Sequence, residues 1–320
     1  MRLRHLWLCL FVIVAACMPN QDFPTRVDPT ATADMILIIA TLPNTPTPAP
    51  EVATQIATSP TPTSLPSTST PIPTPTPILL PTPDADALNR SVRLPILMYH
   101  YVEPWPADAG EIRHGLTVRP EDFAAQMQYL HERGYVTVSL YDLVYALALG
   151  QPLPERAVAL TFDDGYRSLM DYAVPTLQAY GYTGTVFVIT ELMDREFELY
   201  LTWPQAENLS AQGWKIEPHT KTHAELAGQS RDFQLYEILG SMQTIEAHTG
   251  IMPRFLCYPA GKYDDVTLQL DRELNLWGAV TVEFGRVHTL ASLYTLNRVR
   301  IDGRGTLRDF VNGVEGDSDP

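Results

Sequence analysis

The segment Arg156-Ala157-Val158-Ala159-Leu160-Thr161-Phe162 is largely apolar and runs straight into Asp163-Asp164-Gly165. A short apolar run bounded by turn residues reads as a strand buried on both faces, the kind found in parallel sheets. Two adjacent carboxylates at the end of such a strand repel each other, and a cation or a proton must relieve them. Side chains alternate along an extended backbone, so the two neighbours point different ways. One carboxylate can face a metal while the other faces the water bound to it. Standing alone, Asp-Asp-Gly would be a solvated turn. Placed after a buried strand, it marks a site.

About fifty residues downstream lies His219-Thr220-Lys221-Thr222-His223. Gly213 and Pro218 argue against one continuous helix through His219, so a strand leading into a loop or helical turn is expected. A spacing of four lets both imidazoles converge if the intervening residues make one turn. Neutral imidazole is the commonest nitrogen ligand for zinc and related metals. An isolated His-x-x-x-His pair is often two surface histidines. Here it follows a short strand, as the aspartates do, and the two motifs can share one rim. Catalytic zinc commonly takes three protein ligands and leaves one position for water. Two carboxylates and two imidazoles supply three ligands with one carboxylate left as a base, which points to metal-assisted hydrolysis.

The rest of the globular part supports an α/β fold. Helical spacing and stop signals predict helices over Pro120–Arg133, Ser139–Leu149, Tyr166–Tyr180 with a kink at Pro175, and Ser230–Thr249. Short strands are predicted at Val136–Val138, Thr185–Ile189, Lys215–Glu217, Arg254–Tyr258 and Ala279–Val282. Strands that alternate with helices predict a parallel sheet, and reactive residues at strand ends favour a barrel with its site on the C-terminal rim. Residues 89–320 are enough for one single-core domain.

Together Thr161–Gly165 and His219–His223 resemble the first two motifs of the polysaccharide deacetylases, the NodB-like carbohydrate esterases of family 4. Leu94–His100 resembles the opening strand of that family, and Tyr258-Pro259-Ala260-Gly261-Lys262-Tyr263-Asp264 its Pro-x-Gly loop. Leu296–Ile301 resembles the closing strand of the subgroup that acts on poly-N-acetylglucosamine. The resemblance implies a distorted, incomplete (β/α) barrel and a divalent cation, zinc first, held by Asp164, His219 and His223. It implies Asp163 as general base and the Ala260 backbone N–H as a donor to the oxyanion. Many members carry an Arg shortly before the Pro-x-Gly loop to hold the base. Here Cys257 and Tyr258 stand there, and Arg298 on the closing strand is expected to reach Asp163 instead. Many members also carry a Leu-x-x-His motif near the end of the chain as general acid; no clean equivalent stands there, and His288 comes too early. His100, at the end of the first strand, is the candidate for that role. Trp203, Trp214, Tyr258, Tyr263 and Trp277 read singly as core; Tyr258 and Tyr263 also flank the Pro-x-Gly loop and are candidates to line the cleft. Cys257 is expected to be a small buried apolar group.

The implied substrate is an N-acetylated polysaccharide. O-acetyl ester hydrolysis on a xylan-like polymer and non-catalytic glycan binding are the alternatives, although a mere binder needs no free carboxylate beside the metal. A formal net charge of −15 disfavours nucleic acid and anionic polymers as partners. A monomer is expected.

The remaining residues address location. Met1–His5 is a short basic start and Leu6–Val14 an apolar stretch, far shorter than the roughly 20 residues of a spanning helix. It ends in Val14-Ala15-Ala16-Cys17, which resembles a bacterial lipobox. Residues 1–17 are thus expected to be a lipoprotein signal ending at a lipidated Cys17, which gives a membrane-anchored, extracytoplasmic protein. Residues 18–88 hold more than half of the 28 prolines, many as Thr-Pro repeats, and read as an extended stalk interrupted by one apolar island at Ala33–Ala40. Only Cys257 would remain as a thiol, so no internal disulfide is expected. Cys17→Ser should move the protein from the membrane fraction to the soluble or secreted fraction. Detergent-dependent fractionation that persists in the mutant contradicts the anchor.

Overall fold

The computed structural model describes residues 79–316. The expected signal, Cys17, the apolar island and most of the stalk lie outside the described residues. Eight short strands form one parallel sheet: β1 (Ile96–Tyr99), β2 (Val136–Thr137), β3 (Ala157–Phe162), β4 (Thr185–Val188), β5 (Lys215–Pro218), β6 (Phe255–Cys257), β7 (Gly278–Phe284) and β8 (Leu296–Arg300). Their hydrogen-bonded order is β5-β4-β3-β1-β8-β7-β6, with β2 also on β3. Every ladder in it is parallel.

Parallel neighbours need a crossover, and helices supply it. They are α1 (Pro120–Glu132), α2 (Leu140–Leu149), α3 (Val174–Ala179), α4 (Trp203–Ala211), α5 (Arg231–Thr249), α6 (Asp265–Glu273) and α7 (Leu307–Glu315). The chain is thus a nearly closed, distorted (β/α) barrel, as the alternation of elements predicts. Among the described residues no ladder bonds join β5 to β6, so a seam remains between them.

Local chemistry explains where helices begin and end. A capping box, Ser139 with Asp142, opens α2, and Gly150 closes it in the left-handed conformation with φ 66°. The expected kinked helix over Tyr166–Tyr180 is instead a π-helical turn, Leu169–Ala173, followed by α3. Pro175 has no N–H to return to the preceding turn, and the wider turn accommodates that loss. The packed chain also starts earlier than residue 89. Ala87 is buried, and the Asp84 N–H donates to Ala148 O at 2.9 Å.

Alternation along the strands sorts the core. On β3, Val158, Leu160 and Phe162 pack with Leu97, Tyr99, Val186 and Ile216 beneath the helices. Ala157 and Ala159 face the other way, into the barrel, with Ile96, Phe187, Phe255, Cys257, Val280 and Leu296. Period-two geometry then sets what comes next. Thr161 and Asp163 continue the inward row of β3, Arg298 follows Leu296 inward on β8, and Glu217 shares its parity with His219 on β5.

Phe162 anchors the outer layer just before the aspartates. Its ring stacks on Tyr99 at 5.4 Å and meets Trp214 at 5.8 Å and Phe123 at 6.2 Å. Phe162→Ala should lower unfolding free energy by about 3–5 kcal/mol, by lost transfer energy plus the cavity left behind. Urea denaturation measures this, and a loss below about 1 kcal/mol contradicts the packing described.

Candidate active site

The inward rows of β3, β5, β6 and β8 converge at the C-terminal ends of the strands. The Asp163 N–H donates to Tyr99 O at 2.9 Å, which carries the β1–β3 ladder one residue beyond β3. Asp164 then turns into the left-handed region at φ 70°, followed by Gly165 at φ 72°. A Cβ on Gly165 would sit 3.0 Å from Val188 Cγ1. This reversal separates the two carboxylates.

Asp163 points into the barrel and meets Arg298. Nη1 donates to Oδ1 and Nη2 to Oδ2, both at 2.7 Å. The guanidinium also donates through Nε to Thr281 O at 2.8 Å and through Nη1 to Thr161 Oγ1 at 3.1 Å. Both partners are buried, with Arg298 1% and Asp163 3% exposed. Burial alone would raise the Asp163 carboxyl. The Arg298 charge and its two hydrogen bonds outweigh that and hold it below the usual carboxylate range. A fork of two parallel bonds fixes the plane of the carboxylate as well as its charge.

Asp164 faces away from Arg298, toward the histidines. Its Oδ1 lies 3.3 Å from His219 Nε2 and 3.4 Å from His223 Nε2, and the two rings are 4.8 Å apart at 77°. The stretch between them is a bend, with Thr220 at φ 62° and His223 at φ 64°, where a strand leading into a loop or turn is expected. Glu237 of α5 holds this bend. Its Oε2 accepts from the Lys221 and Thr222 N–H groups at 2.9 and 2.8 Å, and its Oε1 from Thr222 Oγ1 at 2.7 Å.

The donor set suits a cation. His219 Nδ1 lies 2.7 Å from the Cys257 carbonyl oxygen, which can only accept, so the proton sits on Nδ1. With its proton there, a neutral ring would offer the Nε2 lone pair to a cation shared with Asp164. Asp164 Oδ1 is buried without a hydrogen-bond partner. One carboxylate oxygen and two imidazole nitrogens lie within 4.8 Å of one another. That is the donor chemistry of a catalytic zinc site with one position left open.

The other expected residues lie close by. His100 Nε2 is 4.0 Å from Asp163 Oδ2, and burial of the ring, only partly opposed by the aspartates, holds His100 below its ordinary value. Ala260 sits in the Pro259–Gly261 turn at φ 52°. Gly261 follows at φ 67°, and a Cβ there would come within 2.6 Å of Val282 Cγ2. Cys257 is buried among apolar side chains, as expected, but its Sγ also lies 3.5 Å from Asp163 Oδ2 and 3.4 Å from Arg298 Nη2. Tyr258 does not line a cleft. Its outward parity on β6 buries it completely, and its hydroxyl donates to Asp271 and contacts Tyr294 O. His288 lies far from the rim, with Nε2 2.9 Å from Leu94 O.

Comparison with known proteins identifies the family and the fold. Residues 150–278 match the family model described as polysaccharide deacetylase. The polysaccharide deacetylase-type protein YxkH of Bacillus subtilis (strain 168) is 30% identical over 212 residues, which cover 66% of this chain and 72% of that protein. The chain belongs to the polysaccharide deacetylase family. Among solved structures, the Streptococcus pyogenes deacetylase PplD in complex with acetate superposes with TM-score 0.65 at 29% identity, over 71% of this chain and 100% of that one. The poly-beta-1,6-N-acetyl-D-glucosamine N-deacetylase of Escherichia coli (strain K12) is 23% identical across 68% of this chain, and the match spans only 38% of that larger protein.

Within this deacetylase fold, Arg298 and Asp163 form a pair that neither partner can leave cheaply. Arg298→Met leaves a buried carboxylate alone and should cost about 3–5 kcal/mol at neutral pH. Adding Asp163→Asn to it should restore much of that loss. Urea denaturation of both single mutants and the double mutant gives the cycle, and additive losses contradict a coupled pair.

Proposed function

We propose that this chain is a divalent-cation-dependent deacetylase that removes N-acetyl groups from a cell-surface or extracellular polymer of N-acetylglucosamine type. The observation that carries this reading is the division of labour between adjacent aspartates. Asp164 Oδ1 is aimed between two imidazole Nε2 atoms, while Asp163 is locked edge-on to a buried guanidinium. The name of the Escherichia coli relative supports the substrate class.

Asp164, His219 and His223 would hold the cation, and zinc fits the donor set best. When bound it supplies a Lewis acid for the acetamide carbonyl and a more acidic water. Asp163, kept ionised by Arg298, accepts the proton of the attacking water at a fixed position. The Ala260 N–H, in its rigid turn, donates to the oxygen on which charge develops. His100 protonates the departing nitrogen. Lying 4.0 Å from Asp163 Oδ2, it hands to that nitrogen the proton that Asp163 took from the water, and its lowered proton affinity, set by burial, means that it carries this proton only in transit. The products are an amine on the sugar and acetate. Residues 1–17 are proposed to anchor the protein by lipid at Cys17, with residues 18–88 as the stalk that carries the catalytic domain outward.

Acetate release from poly-N-acetylglucosamine, chitin, peptidoglycan and acetylxylan fragments tests the assignment. The account expects release from an N-acetylated glucosamine polymer, and release from acetylxylan alone contradicts it. Asp164→Ala, His219→Ala and His223→Ala should each lose the cation by metal analysis. Asp163→Asn should keep the cation and lose about 10²-fold or more in kcat. Arg298→Met should also keep the cation while activity falls. Asp163→Asn with near-normal turnover and the cation in place refutes Asp163 as the base.

A further inference from the structure

The barrel is open between β5 and β6, and an open edge leaves buried N–H and C=O groups without ladder partners. Those of β6 that face β5 belong to Phe255 and Cys257, because the alternate groups are taken by β7. Two of them, the Phe255 N–H and the Cys257 C=O, find partners in side chains. Glu217 Oε2 accepts from the N–H groups of Arg254 and Phe255, both at 2.9 Å. One step further along each strand, His219 Nδ1 donates to the Cys257 carbonyl at 2.7 Å. Glu217 and His219 are two residues apart on β5, as Phe255 and Cys257 are on β6. They make successive stitches across the same gap.

Glu217 is itself held. Tyr141 of α2 donates to its Oε1 at 2.8 Å, and the Tyr141 ring packs edge-on against Phe255 at 5.0 Å and near Trp277 at 5.3 Å. Glu217 is 2% exposed. Below it the seam opens into a cavity of about 760 Å³, lined by Tyr141, Glu217, Arg254 and Trp277 among others. No backbone ladder props the two strands apart there among the described residues. The carboxylate of Glu217 therefore sets the spacing of β5 and β6 just before His219 leaves one strand and Cys257 leaves the other.

We infer that Glu217, braced by Tyr141, is a positioning residue for the cation site: by stitching β5 to β6 it fixes the Cys257 carbonyl that aims His219. The same stitch sets where Pro259 and Ala260 follow from β6. This rests on the proposed cation site, and the test separates the two. Partners that orient a metal-ligating histidine are worth about 10–100-fold in metal affinity.

The geometry distinguishes the variants. In Glu217→Gln the amide oxygen can accept both N–H groups while the amide nitrogen donates to Tyr141 Oη. In Glu217→Leu both backbone donors lose their acceptor. The test is titration of Co²⁺ into the cation-stripped full chain, read by visible absorption at a temperature well below each variant's melting point, together with acetate release. Glu217→Gln should bind within about threefold of wild type, Glu217→Leu at least about tenfold more weakly, and activity should follow binding. A folded Glu217→Leu with wild-type Co²⁺ affinity overturns the inference, as does a Glu217→Gln as impaired as Glu217→Leu. Should Glu217→Leu not fold, Tyr141→Phe decides: a fall in affinity supports the brace and an unchanged affinity overturns it. His219→Ala is the control. If it binds Co²⁺ like wild type, the cation site and this inference both fail. If it loses binding while Glu217→Leu does not, only the role of Glu217 fails.

Discussion

Two neighbouring carboxylates are buried at the end of β3, and each needs positive charge of its own. Asp163 finds it in Arg298, two hydrogen bonds away on β8. Asp164, turned aside by its left-handed backbone, faces His219 and His223, and a cation held between them would supply it. Most of the architecture serves these two pairings. The parallel order brings β8 near β3 through β1, and the inward parity of each strand decides which side chains reach the rim. Without an opposing charge on each side, desolvation and mutual repulsion would protonate one of the acids.

Much of this was legible in the chain. Apolar runs separated by amphipathic segments predict the parallel sheet, because period-two and period-3.6 patterns are local and survive folding. The Asp-Asp-Gly and His-x-x-x-His segments stand out because their residue types are costly at strand ends without a purpose. Arg298 could be placed on the closing strand, and in a ring that strand returns beside the first. The structure does bring its guanidinium to Asp163.

Other features were not legible, for physical reasons. Cys257 reads as a buried apolar group and packs in an apolar cluster, but the charged pair that β3 and β8 bring to its sulfur has no local signature. Tyr258 reads singly as core and is core, while its place beside a proline loop also suggests a cleft, which its outward parity rules out. The helices α4, α6 and α7 are short, and their capping boxes at Thr202, Asp264 and Thr306 were the overlooked signals. Glu237 and Glu217 act on backbone groups far along the chain, and no spacing rule reveals such contacts. The parity that Glu217 shares with His219 was the one clue available for it.

The central claim is that Asp164, His219 and His223 form the cation site while Asp163 stays with Arg298. A competing trio exists, since Asp163, His219 and Cys257 also place donor atoms within 4.8 Å of one another. Crystals grown with zinc and measured on both sides of its absorption edge decide between them. The account predicts one anomalous peak at about 2.0–2.2 Å from Asp164 Oδ1, His219 Nε2 and His223 Nε2, with the Asp163–Arg298 fork intact. A peak bonded to Cys257 Sγ and Asp163, or no peak between the three proposed ligands, would contradict it.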